Sequence, residues 1–212
     1  MARRAAAAKV IELRTDQVDN SAGEPISFEE PFTVEVTLSG SAPYLYHRWN
    51  NEEVEAKAKA PKNSAAKKTD NVDSYVWRDD NKNLCIPGHH LNGAIVAAAK
   101  FRQDPRSPRK SAQDLYKAGI TVLTDVASVG RKSWDYLDRR RVTVQRQGVT
   151  RTRPALKQGW QATFQIMVLL PEYISEENLR SVIEQAGRLC GVGDFRPSHG
   201  RFGVVKYKRI AL

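Results

Sequence analysis

The sequence predicts an α+β fold in which two helices cover one face of an antiparallel sheet, in the order β-α-β-β-α-β. Two observations predict it: apolar residues alternate with polar ones in the strand segments, and they recur every three or four residues in the helical segments. Strands are predicted at 32–38, 120–126, 161–170 and 202–210, and helices at 89–102 and 176–190. With 212 residues, 41% of them hydrophobic, the chain is expected to form a single domain over 1–212.

The first strand has the clearest alternation. Phe32, Val34, Val36 and Leu38 are apolar, and the residues between them are polar or charged. This period of two is typical of a strand with one buried face. Gly40 follows and is predicted to end the strand.

Both helices are predicted from apolar stripes and from signals at their ends. In the first helix the predicted buried face comprises Leu91, Ala94, Ile95, Ala98 and Phe101. The second helix is predicted to begin after Ser175, an N-cap residue, and to end at Gly191. Its predicted buried stripe comprises Leu179, Val182, Ile183, Ala186, Leu189 and Cys190.

Two long segments interrupt the predicted core, which comprises 31–40, 84–128 and 159–212. The first insertion, 41–83, is polar and lysine-rich from residue 49 to residue 73, which predicts a mobile excursion. The second, 129–158, has alternating valines and a Gln147-Gly148 pair that predicts a turn. We therefore expect a β-hairpin that projects from the core.

The charge of the chain points to a polyanionic partner. Its net charge is +10, and no apolar run approaches the ~18 residues needed to span a bilayer. The predicted hairpin supplies much of this surplus through Arg131, Lys132, Arg139, Arg140, Arg141, Arg146, Arg151, Arg153 and Lys157. Arginine binds phosphate with forked donors, and the interleaved Trp134, Tyr136 and Trp160 are predicted to stack on bases.

Only two cysteines are present, Cys85 and Cys190, and both have apolar neighbours. They are predicted to be buried thiols in a reducing cytoplasm, because their spacing fits neither a disulfide framework nor a zinc site. The sequence predicts no metal site and no cofactor.

A glycine-rich loop follows the second helix. Gly191, Gly193 and Gly200 have two compatible interpretations. They can end the helix and form a tight turn, or they can let a phosphodiester backbone approach main-chain N–H groups. Arg196, His199 and Arg201 would then supply charge to the phosphates.

This loop resembles the glycine-rich loop of the RAMP superfamily of CRISPR-associated RNA-binding proteins, because it follows a helix and precedes a strand. The segments 84–95 and 157–164 are similar to the start of the first helix and the entry to the third core strand of RAMP backbone subunits. The resemblance implies a ferredoxin-like (RRM-like) core with the basic hairpin as an RNA-inserting thumb.

The resemblance also implies the function and the partners. We expect a repeating backbone subunit that binds single-stranded guide RNA, which pairs with complementary nucleic acid. The other expected partners are copies of the chain in a filament-like oligomer and further effector subunits, with no membrane partner. The resemblance further implies a protein of the prokaryotic cytoplasm, encoded by the cell or by a phage or mobile element. The residues predicted to bind RNA are Arg48, Lys67, Lys68, Asn92, Arg139, Arg140, Arg141, Arg146, Arg151, Arg153, Lys157, Gly191, Gly193, Arg196, His199, Gly200 and Arg201.

Catalysis is the alternative that these residues leave open. Some RAMP proteins are metal-independent ribonucleases in which a histidine acts on a 2′-hydroxyl, and His47 and His199 are the candidates here. Asp70 and Asp73 lie where some backbone subunits place an aspartate that cleaves a bound target. The sequence favours a non-catalytic RNA-binding protein, with a metal-independent endoribonuclease and a phage single-stranded DNA-binding protein as the alternatives.

Overall fold

The computed structural model describes residues 29–61, 64, 71–144 and 147–210. The strands are β1 (Phe32–Gly40), β2 (Tyr44–Leu45), β3 (Trp77–Arg78), β4 (Leu84–Pro87), β5 (Gln103–Asp104), β6 (Ser107–Ser111), β7 (Ile120–Val122), β8 (Val126–Ser128), β9 (Tyr136–Val144), β10 (Gln147–Leu156), β11 (Gln161–Val168) and β12 (Phe202–Ile210). The α-helices are α1 (Asn51–Lys59), α2 (Gly88–Ala99), α3 (Gln113–Gly119) and α4 (Glu176–Leu189), and Val72–Tyr75 forms a 3₁₀ turn. The strands pair in antiparallel sheets, which confirms the α+β class.

A four-stranded sheet, in the order β12-β1-β11-β7, carries the main core. Val34 lies opposite Ile166 and Val36 opposite Phe164, and all four side chains are fully buried. The helices α2 and α4 pack against each other, α2 also contacts β7, and α4 contacts β12. The alternation read from the sequence of β1 therefore corresponds to a real buried face.

The other face of this sheet is polar. Thr37 lies opposite Thr163, with 2.9 Å between the two hydroxyl oxygens, and Glu35 lies opposite Gln165. β1 and β11 place no aromatic side chain on this face, because their aromatic residues, Phe32 and Phe164, are buried. Stacking of bases on an open sheet, as RRM domains do, therefore has no platform on these two strands.

Several predicted elements differ from the structure. The predicted strand 120–126 is split, because β7 joins the main sheet while β8 pairs with β4 in another sheet. The prediction also missed α3, whose seven residues are too few for a clear period. Phe101 and Leu189, expected in buried stripes, are 64% and 46% exposed because α2 ends at Ala99 and Leu189 is the last residue of α4.

The polar segment 49–73 contains more regular structure than the sequence interpretation allowed. The carboxamide oxygen of Asn50 accepts hydrogen bonds from the backbone N–H groups of Glu52 and Glu53, which caps α1. Alanine, lysine and glutamate then favour the helix by intrinsic propensity. Low hydrophobicity does not exclude a short helix whose N-terminus is capped by a side chain, and this is why the segment is more regular than predicted.

The two cysteine thiols differ in exposure. Cys85 is buried, as predicted, whereas Cys190 at the end of α4 is half-buried, which corrects the prediction for that residue. Burial raises the pKa of both thiols. Within the described part of the chain, no helix is both long enough and apolar enough to cross a membrane.

Candidate nucleic-acid interface

The basic hairpin is formed by β9 and β10, and its pairing divides the arginines between two faces. Arg139 lies opposite Thr152 and Arg141 opposite Thr150. Side chains alternate between faces along a strand, so these residues share one side, which we call the outer face. Arg139 and Arg141 are exposed there, and no acidic side chain of the described residues pairs with either.

The inner face of the hairpin is engaged with the protein. Arg140 donates from Nε to Asp138 Oδ1 at 2.6 Å and makes a second contact with the other carboxylate oxygen. Arg153 donates from Nε to Asp194 Oδ2 at 2.5 Å across to the glycine-rich loop, and it is only 6% exposed. The hydrogen bonds from Arg140 hold the pKa of the Asp138 carboxyl below its usual value. Arg153, which the sequence predicts to bind RNA, is therefore buried in an ion pair within the protein.

Two other predictions about the hairpin change. Gln147 pairs with Val144 and Gly148 with Thr143, so the Gln147-Gly148 pair lies within the strand pairing and is not the turn. Trp160 is fully buried and donates its indole N–H to the Ala42 carbonyl at 3.0 Å, so it cannot stack on a base. Trp134 packs half-buried against the core. Both indole rings are therefore packed against the core of the protein.

The glycines of the loop are required by close packing. Gly191, Gly193 and Gly200 all have positive φ. A Cβ on Gly200 would lie 1.6 Å from the Val192 carbonyl oxygen, and one on Gly193 would lie 2.6 Å from Cε2 of Tyr44. The Cβ positions that glycine leaves empty therefore face the protein. Replacing Gly193 with alanine would disturb its packing on Tyr44 whether or not a phosphate binds nearby.

Main-chain donors of the loop are largely used within the protein. The N–H groups of Val192, Asp194, His199 and Gly200 donate to backbone carbonyls, at 2.7–3.2 Å. Phe195 N–H donates to Asp194 Oδ1 at 2.8 Å. These amides are not free to bind phosphate, so charge on this loop comes from side chains. Arg196 and Arg201 are both exposed and are the available cations.

Two predicted histidines lie where the hairpin meets the loop. His199 Nε2 is 3.4 Å from an Arg140 guanidinium nitrogen, and His47 stacks on Tyr75 with ring centroids 5.2 Å apart. Burial lowers the pKa of both imidazoles, Arg153 lowers it further, and Asp194 opposes the shift. The charges of Arg153 and Asp194 therefore act on both His47 and His199.

His90 has a structural role that the sequence did not indicate. Its Nδ1 is 3.0 Å from the hydroxyl of the buried Tyr44, and its ring lies edge to face with Trp77 and His89. Burial, with a smaller contribution from His89, lowers the pKa of His90 to about 4. The neutral imidazole is therefore the form that belongs to the folded state.

This shift predicts acid sensitivity of the fold. Below the ordinary histidine pKa of about 6.5 the unfolded chain binds a proton that folded His90 does not bind until about pH 4. The free energy of unfolding should therefore fall as the pH drops through this window, by on the order of 2 kcal/mol for this group. Urea titrations between these pH values should show a shallower pH dependence in His90→Gln than in the wild type. An unchanged slope would contradict the assignment.

The remaining predicted residues are dispersed. Arg48 is exposed beside Trp49 in a cavity of about 490 Å³, where Asp73 pairs with Arg78 at 3.1 Å. Asn92 lines another cavity, of about 360 Å³, and its buried Oδ1 has no partner among the described residues. Arg151 is half-buried on the inner face, and Lys157 is exposed after β10. Arg146, Lys67, Lys68 and Asp70 lie outside the described residues.

In the described part of the chain, no group of three or more His, Cys, Asp or Glu side chains is placed to hold a metal ion.

Three residues of the interface were missed by the sequence interpretation: Asp138, Asp194 and Phe195. Asp138 and Arg140 are two residues apart in a strand, which puts them on one face and would have indicated the pair. Asp194 and Arg153 are separated by 41 residues, so no local pattern reveals their contact. Phe195 carries no signal in the sequence, since a single aromatic residue in a loop is common.

Comparisons with known proteins identify a fold. No protein-family model matches the sequence, and no curated protein matches it. A chain in the cryo-EM structure of the Type III-B Cmr-beta bound to cognate target RNA matches with a TM-score of 0.52 at 12% sequence identity. The match covers 85% of this chain and 61% of that one, so the chain spans about three fifths of its neighbour. At this identity the likeness concerns the fold.

Proposed function

We propose that this chain is a RAMP-like RNA-binding subunit of a CRISPR-type ribonucleoprotein, and that single-stranded guide RNA lies along its hairpin and glycine-rich loop. The observation that carries the proposal is the set of exposed cations on these two elements, Arg139, Arg141, Arg196 and Arg201. The Arg153–Asp194 pair holds the elements together. The fold likeness to a chain in an RNA-bound CRISPR structure supports it.

The sheet order supports a ferredoxin-like core within one domain. Taken along the chain, β1, α2, β7, β11, α4 and β12 follow the β-α-β-β-α-β order, and their strands form the single sheet β12-β1-β11-β7. On this proposal the β9–β10 hairpin, which lies between β7 and β11, is the thumb. The elements between β1 and α2 form the other insertion, which on this proposal would contact a neighbouring copy of the chain.

The charges imply a binding mode in which phosphates are the main ligands. Guanidinium groups on the outer face bind the RNA backbone with little regard to sequence, since phosphates are the same at each nucleotide. The inner-face pairs would keep the outer arginines in place. Because each contact releases counterions, affinity should fall steeply as the salt concentration rises.

Titration of purified protein into single-stranded RNA of increasing length, in EDTA, tests this proposal. We expect a ladder of bound states whose number grows with RNA length, intact RNA at each step, and affinity that drops at least tenfold between ~50 and ~200 mM salt. A single bound state at all lengths would contradict the repeating-subunit role. Salt-independent affinity would contradict phosphate binding, and preference for matched DNA would favour a DNA-coating protein.

A metal-independent endoribonuclease is the second candidate function, and it is favoured by the position of His199 beside Arg140 and by the charges of Arg153 and Asp194 that act on both His199 and His47. Lowered pKa values leave both imidazoles neutral near pH 7, the form needed in a general base. Arg140 is close to His199 but is already paired with Asp138, so the exposed Arg196 and Arg201 of the same loop would supply the positive charge for a phosphate. On this proposal RNA would be cut at a defined position in EDTA, and His199→Asn would abolish cutting while RNA binding persists.

A further inference from the structure

A cavity of about 530 Å³ opens between the end of α4 and the glycine-rich loop. Its walls combine apolar and charged side chains, including Leu189, Cys190, Phe195, Arg196 and Pro197. Leu189 is 46% exposed, although the apolar stripe of α4 that precedes it is buried in the core. The volume lies within the range of pockets that hold small organic ligands.

Phe195 lines this cavity, and its backbone conformation is strained. Its φ is +59°, a left-handed conformation that a bulky residue rarely adopts. The Arg140 guanidinium lies 4.6 Å from the ring centroid, and the His199 ring is 5.5 Å away, edge to face. The ring nevertheless remains 39% exposed. A strained aromatic side chain that is braced by its neighbours and still exposed is more typical of a binding site than of a core.

We propose that this cavity holds one unstacked nucleobase of a bound single-stranded nucleic acid, stacked on the Phe195 ring, with the adjoining phosphate on Arg196. The inference rests on the proposed function and adds a base contact to the phosphate contacts of the hairpin. Every base has a π-face, so such a contact is compatible with sequence-tolerant binding.

Charge complementarity argues for a nucleotide as the occupant. Arg196 is exposed and lines the cavity, so its guanidinium is available to an anionic group there. Arg140 also lies against Phe195, but its charge is offset by the ion pair with Asp138, so Arg196 is the cation that remains for an anionic group. Asp194, the acidic residue of the lining, is already paired with Arg153. An occupant with a flat apolar face and an anionic group matches this arrangement, and a nucleotide has both.

Scanning a bound RNA with single abasic positions tests the proposal. In the wild type, on an RNA only long enough for one bound subunit, we expect one position where removal of the base weakens binding about tenfold, within the range for stacking of one base on an aromatic ring. Phe195→Leu should weaken binding of intact RNA by a similar factor and make the scan flat. Phe101→Leu is the matched control, because Phe101 is an exposed phenylalanine that does not line the cavity. It should leave the scan unchanged.

A second variant separates binding from folding. Phe195→Gly removes the ring and also relieves the left-handed strain, so its melting temperature should equal or exceed that of the wild type while RNA affinity falls. A wild type that binds RNA with a flat abasic scan, and Phe195 variants that bind within twofold of it, would overturn this inference and leave the proposed function intact. A wild type that does not bind RNA would instead overturn the proposed function.

Discussion

Gly200→Ala is expected to lower the free energy of unfolding by about 3–4 kcal/mol, a large share of what a domain of this size has. Two costs add. Alanine would be strained at a φ of +73°, and its Cβ would lie 1.6 Å from the Val192 carbonyl oxygen. The loop cannot shift easily, because Gly200 N–H donates to Pro43 O and Val192 N–H donates to Gly200 O. Urea unfolding of the variant measures the loss.

Substitutions at two other glycines distinguish the cost of backbone strain from the cost of steric overlap. Gly130 has a φ of +75° but open space around its Cβ position, so Gly130→Ala should cost about 1 kcal/mol. Gly203 in β12 has open space and no positive φ, so Gly203→Ala should change stability by less than about 0.5 kcal/mol. If all three variants were equally stable, the packing of the loop described above would be wrong.

Replacing Arg139 and Arg141 together with alanine is expected to have the largest effect on RNA affinity. Both residues are exposed and make no ion pair with a described residue, so the melting temperature should stay within about 2 °C of the wild type. Loss of two phosphate contacts should weaken binding about 10- to 100-fold in low salt and reduce the salt slope by about 1.4. Fluorescence titrations over a range of salt concentrations give both quantities.

Arg153→Ala, on the inner face of the hairpin, should have a different effect from the double variant on the outer face. It removes a buried guanidinium and leaves Asp194 without its partner, so we expect a loss of about 2 kcal/mol in stability. Changing all the hairpin arginines at once would therefore mix lost RNA contacts with lost stability. Testing the two faces separately avoids this confusion.

Segments with a long regular pattern were predictable from the sequence. β1, β11, β12 and α4 extend over eight or more residues with a sustained period, and each was predicted within two residues of its observed limits. The division of the segment 120–128 into β7 and β8 was not predictable, because each strand has only three residues and the two join different sheets. Sheet membership depends on tertiary contacts that local sequence does not encode.

The candidate interface was predictable in composition and less so in arrangement. The concentration of arginine in the hairpin indicated a polyanion, but the division into outer Arg139 and Arg141 and inner Arg140 and Arg153 depends on strand register. The glycines indicated a tight loop. They did not indicate which backbone N–H groups of the loop donate hydrogen bonds within the protein, because the acceptors include residues 43–45, far away in the sequence. Phe195 required knowledge of both its backbone conformation and its cavity.

The most direct test of where RNA binds compares two double variants that remove the same charge from different surfaces. Lys206 and Lys208 are exposed on β12 and lie opposite Thr37 and Glu35, on the polar face of the main sheet. RNA affinity per folded molecule is measured for Lys206→Ala with Lys208→Ala and for Arg139→Ala with Arg141→Ala. The interface described here predicts at least a tenfold loss in the arginine variant and less than a threefold loss in the lysine variant. Equal losses, or a larger loss in the lysine variant, would show that RNA binds elsewhere.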